Sequence, residues 1–288
     1  MKKILLVDGM ALLFRAFYAT SVHGQFMKTS AGVPTNGIHG FVKHLLAARK
    51  EVQPTHIITC WDMGSTTFRT ETFDQYKANR GAAPEELIPQ FNLVKQVTQL
   101  LSIPNVGLEG YEADDCLGTL AKVYGREGNV FILTGDTDML QLADSNITVM
   151  LLRKGIGNYE YYTPEKIYAE KGIQPWQIVH AKAFMGDASD NYPGVKGIGE
   201  KTAYKLIQQF KTVQGVLNNL EQITKAQRTK IENDLENLYM SLQLAEIHCE
   251  VPIVCQLEEA LHVIEEHHIK KICAELEWRR PETLLALL

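Results

Sequence analysis

Three times in its first 140 residues this chain runs a short apolar stretch directly into an aspartate: KKILLVD (2–8), THIITCWD (55–62) and NVFILTGD (129–136). Runs this short, rich in Ile, Val and Leu, are the pattern of strands buried on both faces of a parallel sheet. Helical patterns at 10–18, 41–50, 84–101 and from about Ala113 lie between them. Alternation of strands with helices specifies an α/β fold with a mostly parallel central sheet flanked by helices. A further apolar run at 147–152 and an edge strand at 159–162 extend the sheet. From Pro164 onward the pattern turns helical, with predicted helices that include 224–237 and 238–247, and past residue 251 it says little.

In a parallel sheet ligands gather beyond the carboxyl ends of the strands, which is where these aspartates fall. Asp8 alone has two even readings, a chemical group or the N-cap of helix 10–18. A haloacid dehalogenase type of phosphatase also starts on such an Asp, but it needs a second one two residues on, and Met10 stands there. Asp62 repeats the strand-end placement. GYEADD (110–115) then puts Glu112, Asp114 and Asp115 at a helix start, more acid than capping needs. Asp136 and Asp138 alternate, so in an extended segment both would point to one side. Asp187 and Asp190, three apart in FMGDASDN, would share a face if helical.

If these acids converge, they repel by several kcal/mol each at an effective dielectric of about 20, and must protonate or bind cations. All-oxygen ligation selects a hard ion, Mg²⁺ or Mn²⁺, over zinc. Two ions roughly 4 Å apart would clamp an in-line displacement at phosphorus. Phosphodiester hydrolysis is the leading chemistry.

A net charge of −5 and a pI near 6.0 argue in sum against a nucleic-acid partner, so the distribution has to decide. Residues 68–83 interleave Arg69, Lys77 and Arg80 with Phe68, Phe73 and Tyr76, which suits a phosphate backbone and its bases but equally a solvated helix. Residues 194–211 carry four lysines against one glutamate. Their glycines, Gly194, Gly197 and Gly199, are spaced GxxGxG with no strand before them, and Glu200 separates Gly199 from Lys201. Neither a dinucleotide fingerprint nor a P-loop fits. A tight hairpin does, and it leaves backbone N–H groups free for phosphate at the start of the next helix.

Several classes are excluded. The apolar run after Lys2 and Lys3 is only four residues before Asp8, far too short for a signal peptide. No apolar stretch approaches the roughly 18 residues of a membrane span. Five scattered cysteines without a CxxC pair read as reduced thiols, so a cytoplasmic protein is expected. His262, His267, His268 and Cys273 lack a second tight pair and read as a solvated helix face rather than a metal site.

LLVDG, TCWD with FR and YKANR after it, GYEADD, LTGDTDMLQL and GDASDNYPGVKGIGEKTA occur in that order. Together they resemble the successive motifs of the bacterial flap endonuclease and 5′-nuclease family, which includes the N-terminal nuclease domain of DNA polymerase I. The resemblance runs to about residue 252; no polymerase domain follows, so the free-standing form is expected. It implies a PIN-like α/β core at 1–175 with a helical arch at about 68–84. It also implies a helical DNA-binding part at 176–288 with a helix-hairpin-helix at about 184–210.

By the same resemblance, Asp8, Asp62, Glu112, Asp114 and Asp115 would serve a first Mg²⁺. Asp136, Asp138, Asp187 and Asp190, with Asp114, would serve a second, Mn²⁺ being an alternative. Asp114 and Asp136 would be central to catalysis, with Lys77 and Arg80 ordering the 5′ strand and polarising the scissile phosphate. DNA contacts are implied for Arg69, Gly194, Lys196, Gly197, Gly199, Lys201, Thr202 and Lys205, and a K⁺ site for the carbonyls of Gly194, Val195 and Ile198. The implied partners are DNA with 5′ flaps or 5′ ends at junctions, and RNA primers, bound by a monomer in replication and repair. The chain departs from the family at Ser241-Leu242-Gln243-Leu244, where many relatives carry a basic pair. Two alternatives stay open: a PIN-type ribonuclease, usually shorter and without the basic hairpin, and a DNA-binding protein that has lost catalysis. Unused carboxylates in such number would be destabilising, which counts against the second.

Overall fold

The computed structural model describes residues 2–21, 24 and 26–288. Strand β1 (Lys2–Asp8) runs into helix α1 (Gly9–Thr20), then α2 (Asn36–Val52), β2 (His56–Cys60), α3 (Phe68–Thr72), α4 (Ile88–Leu100) and β3 (Asn105–Val106). After α5 (Ala113–Tyr124) come β4 (Gly128–Thr134), β5 (Ile147–Leu152) and β6 (Tyr159–Tyr162). The remainder is helical: α6 (Pro164–Lys171), α7 (Ile178–Met185), α8 (Glu200–Phe210), α9 (Val213–Leu217), α10 (Lys225–Asn233), α11 (Leu235–Ala245), α12 (Glu266–Glu275) and α13 (Glu282–Leu285).

The six strands are ordered β3-β2-β1-β4-β5-β6, all parallel except β6, which pairs antiparallel with β5. β1 lies at the centre because it is apolar on both faces. Ile4 and Leu6 enter one core with α5 and α7, while Leu5 and Val7 enter the other with α1, α2 and α4. The chain reverses direction across the sheet between β1 and β4, so a crevice opens at their carboxyl ends. Asp8, Asp62 and Asp136 stand on or just beyond the ends of three adjacent strands there.

Some boundaries differ from expectation for packing reasons. The helix expected at 41–50 begins earlier, at Asn36, and takes in Gly37 and Gly40. A Cβ on Gly37 would come 2.9 Å from the Gln90 side chain, and one on Gly40 would come 2.9 Å from Ala16 Cβ. These glycines let α1 and α2 approach rather than break the helix. The expected helix from residue 84 starts only at Ile88. Residues 129–142 are not one extended segment, because β4 stops at Thr134 and a 3-10 turn covers Thr137–Leu142.

The expected helical arch contains the five-residue α3 and continues as turns. Cross-links to the 188–191 loop hold it in that form. The Lys77 N–H donates to the Asp190 carbonyl at 2.9 Å, Asn79 to Ala188 at 2.8 Å, and Asn191 to Gln75 at 2.7 Å.

The last helices do not stay with the helical part. Leu261 bridges to His56 at the start of β2, and Ile269, Ile272, Cys273 and Leu276 bury themselves in the core of α1, α2 and α4. Trp278 donates to Thr35 at 3.2 Å, and Glu277 accepts from the Ser30 backbone at 2.7 Å. The face of α12 that was expected to be solvated is therefore split: His267 is exposed beside Glu265, but Cys273 is core. Among the described residues no helix is long and apolar enough to cross a membrane.

Candidate active site

The crevice at the strand ends is a cavity of about 630 Å³ whose lining includes Asp8, Asp62, Glu112, Asp114 and Asp136, with Lys77 and Arg80 among them. A larger cavity of about 820 Å³ lies beside Phe68, Tyr111 and His248 and holds none of the candidate acids, so chemistry rather than size marks the site.

Asp8 has both of the roles considered for it. One oxygen caps α1 by accepting the Ala11 N–H at 2.9 Å, and the other accepts the Thr134 hydroxyl at 2.7 Å. Asp62 accepts the Ala113 N–H at 2.7 Å, tying the end of the β2 run to the start of α5. Asp136 accepts the Asp138 N–H at 2.8 Å and so starts the 3-10 turn. Asp114 sits in the first turn of α5, where the helix dipole favours negative charge. Among the described residues none of these four forms an ion pair. Burial, with the charges of Asp62 and Asp136, raises the Asp8 carboxyl to about 6. Burial, then Asp136 and Asp8, pushes Asp114 well above the usual carboxylate range.

The remaining acids are neutralised by the protein itself. Glu112 accepts from Lys77 at 2.8 Å and from Tyr76 at 3.2 Å. Asp190 accepts from Arg80 at 2.6 Å and from Tyr76 at 3.0 Å. Asp138 and Asp187 share the buried ammonium of Lys182, which lies 2.5 Å from Asp187. The sharing is unequal. Against the effect of burial, hydrogen bonds from Lys182 and Ser189 hold Asp187 down at about 2. Burial and the charge of Asp136 outweigh Lys182 at Asp138, which is raised to about 7.

Two expectations need correction. Asp115 is fully buried, with its oxygens 2.8 Å from two nitrogens of Arg69, and it also accepts the backbone N–H groups of Glu112 and His248. It is not exposed to the cavity and braces its floor. Arg69 was expected to meet DNA, but it is only 2 % exposed and also donates to the carbonyls of Leu244 and Glu246. A bidentate ion pair with both partners out of water leaves nothing for a ligand. Asp136 and Asp138 part at the 3-10 turn, and Asp187 and Asp190 lie in a turn, where Asp187 accepts the Ser189 N–H at 2.7 Å.

At the hairpin, Gly194 and Gly197 take φ of 61° and 81°. A Cβ on Gly194 would lie 2.3 Å from the Gly186 nitrogen, so no larger residue fits there. Ser241 is buried and accepts the Gly194 N–H at 3.0 Å, so it anchors the hairpin even though the basic pair beside it is missing. Lys196, Gly197, Gly199, Lys201 and Lys205 are exposed and Thr202 is half-buried, while Val195 and Ile198 point into the core. Lys230 donates to the Gly197 carbonyl at 2.8 Å.

Sequence reasoning missed Lys182 and Thr134, and named Tyr76 and Ser241 without their buried roles, because nothing in a single helix or strand pattern distinguishes a core polar group from a surface one. Among the described residues no three acidic, histidine or cysteine groups stand close enough to grip one ion as they are. The donor set is nevertheless all carboxylate, and its inner members form no ion pair among the described residues, which fits a hard divalent cation.

The mostly parallel sheet, the carboxylate cavity at its strand ends and the family models that match it together place the chain among the 5′ nucleases. The chain belongs to the 5′-3′ exonuclease family. The family's N-terminal resolvase-like domain matches residues 3–172, and its C-terminal SAM fold matches residues 173–268. It is 54 % identical over 284 residues to the 5′-3′ exonuclease of Bacillus subtilis (strain 168), covering 96 % of both chains. It is 41 % identical over 254 residues to DNA polymerase I of the same organism, covering 88 % of this chain but 28 % of that one. Among solved structures, the T5 D15 protein co-crystallised with metal ions matches with a TM-score of 0.69 at 21 % identity over 99 % of both chains. The catalytic core of Rad2 in complex with a DNA substrate matches at 0.64 and 17 % identity, over all of this chain and 93 % of that one.

Proposed function

We propose that this protein is a Mg²⁺-dependent, structure-specific 5′ nuclease that hydrolyses DNA phosphodiesters at 5′ ends and 5′ flaps. The observation that carries the reading is the inner group, Asp8, Asp62, Asp114 and Asp136: four carboxylates on one cavity without an ion pair, below a rim that holds Lys77 and Arg80. The inner group would hold one ion, and Asp138, Asp187 and Asp190, with Asp114, would serve a second; Mn²⁺ fits the same oxygen donors. Bound there, the two ions would supply an activated water and offset the charge that develops on the phosphate.

The protein's own groups do the rest. Lys77 and Arg80 leave Glu112 and Asp190 for the incoming phosphate and orient it. Thr134 and the Ala11 N–H keep Asp8 aimed at the cavity. The exposed Lys196, Lys201 and Lys205, with the free N–H groups at the start of α8, hold the duplex backbone away from the cut. A K⁺ ion on the carbonyls of Gly194, Val195 and Ile198 would have to coexist with the Lys230 ammonium next to them, which argues for a weak site.

A 5′-labelled flap substrate tests the proposal. Cleavage near the junction is expected with Mg²⁺ and none with EDTA. Undiminished cutting in EDTA would overturn the reading.

A further inference from the structure

Lys182 has no part in the chemistry described so far, yet it is among the few lysines buried from solvent, at 7 % exposure. It projects from α7 between Asp138, on the 3-10 turn after β4, and Asp187, on the loop after α7. Its ammonium therefore joins the sheet to the helical part. The hydroxyl of Tyr192, 3 % exposed and in the electrostatic surroundings of Lys182, Asp138 and Asp187, has no hydrogen-bond partner. The pocket around this lysine is thus polar and incompletely satisfied.

We infer that Lys182 is a positioning residue that acts as a resident counter-ion, holding Asp138 and Asp187 in place beside the cavity while keeping a divalent ion at those two carboxylates weakly bound. The inference rests on the two-ion reading above. Asp138 and Asp187 offer negative charge that the ammonium already offsets, and a dication entering beside it meets like charge. Lys77 and Arg80 offset Asp190 in the same way. The inner carboxylates form no ion pair, and Lys77 acts on them only across the cavity. The two ions should therefore bind unequally in the free protein, with the outer one held firmly only when phosphate arrives to balance the lysine. Lysine suits this role, since its ammonium is a compact charge on a flexible stem that can shift without leaving the site.

Titration with Mn²⁺ in the absence of DNA, followed by the electron paramagnetic resonance signal of the free ion, tests this on the full chain. Wild type should bind one ion tightly and a second at least about tenfold more weakly. Lys182→Met and Lys182→Gln should tighten the second ion by on the order of tenfold, and Lys182→Arg should keep the wild-type ratio. Two neutral variants guard against one that fails to fold, and a merely structural role for the lysine would not tighten an ion. If wild type binds Mn²⁺ but the neutral variants hold the outer ion no more tightly, the role of Lys182 is overturned and the two-ion reading stands. If wild type binds no Mn²⁺, the two-ion reading falls and this inference with it.

Discussion

Asp8, Asp62, Asp114 and Asp136 stand in the cavity without an ion pair, whereas Glu112, Asp138, Asp187 and Asp190 each lie against Lys77, Arg80 or Lys182. Both groups are acids at the ends of the same parallel sheet or on the loops that face it. The difference lies in what surrounds them. The inner group takes its hydrogen bonds from backbone N–H groups and a threonine and pairs with no cation, so its charge is left for something from outside. The outer group faces the helical part and the arch, which bring their own cations. A cluster of carboxylates is thus informative only once its counter-charges are known.

The largest effect should follow from disturbing the inner group. Asp136→Asn, which keeps an acceptor for the Asp138 N–H, should lower Mg²⁺-dependent cleavage by on the order of a thousandfold or more while leaving flap binding in place. The same change should raise the melting temperature in EDTA, while Asp187→Asn should lower it by leaving Lys182 short of a partner. Shifts of the same sign would erase the distinction between the groups.

Arg69 and Asp115 mark the limit of compensation. Arg69→Met leaves a buried carboxylate unpaired and should cost about 3–5 kcal/mol in urea unfolding. A loss below about 1 kcal/mol would mean that the pair is not the floor of the site.

The pH dependence is next. Asp8 in the folded chain titrates at about 6 against an ordinary 3.8, so the folded form holds its proton more tightly than the unfolded form. The stability this gives is complete below the unfolded value and is lost as pH rises through about 6, leaving a cost of about 3 kcal/mol at neutral pH. In EDTA, Asp8→Asn should therefore gain on wild type between pH 4 and pH 7 in thermal melts. A constant gap would argue against strain at Asp8.

The smallest effect lies farthest from the acids. Lys201→Ala with Lys205→Ala should weaken duplex binding and reduce the slope of log affinity against log salt by about 2, leaving catalysis per bound substrate unchanged. An unaltered slope would remove the hairpin from the interface.

Much of this was legible in the sequence, for identifiable reasons. An apolar run such as Ile4–Val7 can be buried on both faces in few ways, so the sheet and the placement of Asp8, Asp62 and Asp136 followed from pattern alone. GYEADD was legible as a helix start with excess charge, but which of its acids faces the cavity was not. That depends on Arg69, 46 residues from Asp115, and on backbone from α11. Gly37 and Gly40 misled because close helix packing and loops use the same residue. Lys182 was hidden because one of its partners, Asp138, lies 44 positions away on the turn after β4.

The link from Trp278 to Thr35 spans 243 positions. At roughly 5–20 residues per second of synthesis, the apolar back of α2 waits about 12–50 s for its cover to emerge. For that interval the nascent protein shows the ribosome's surroundings an unfinished hydrophobic surface, and its yield in a cell becomes a matter of timing as well as of stability.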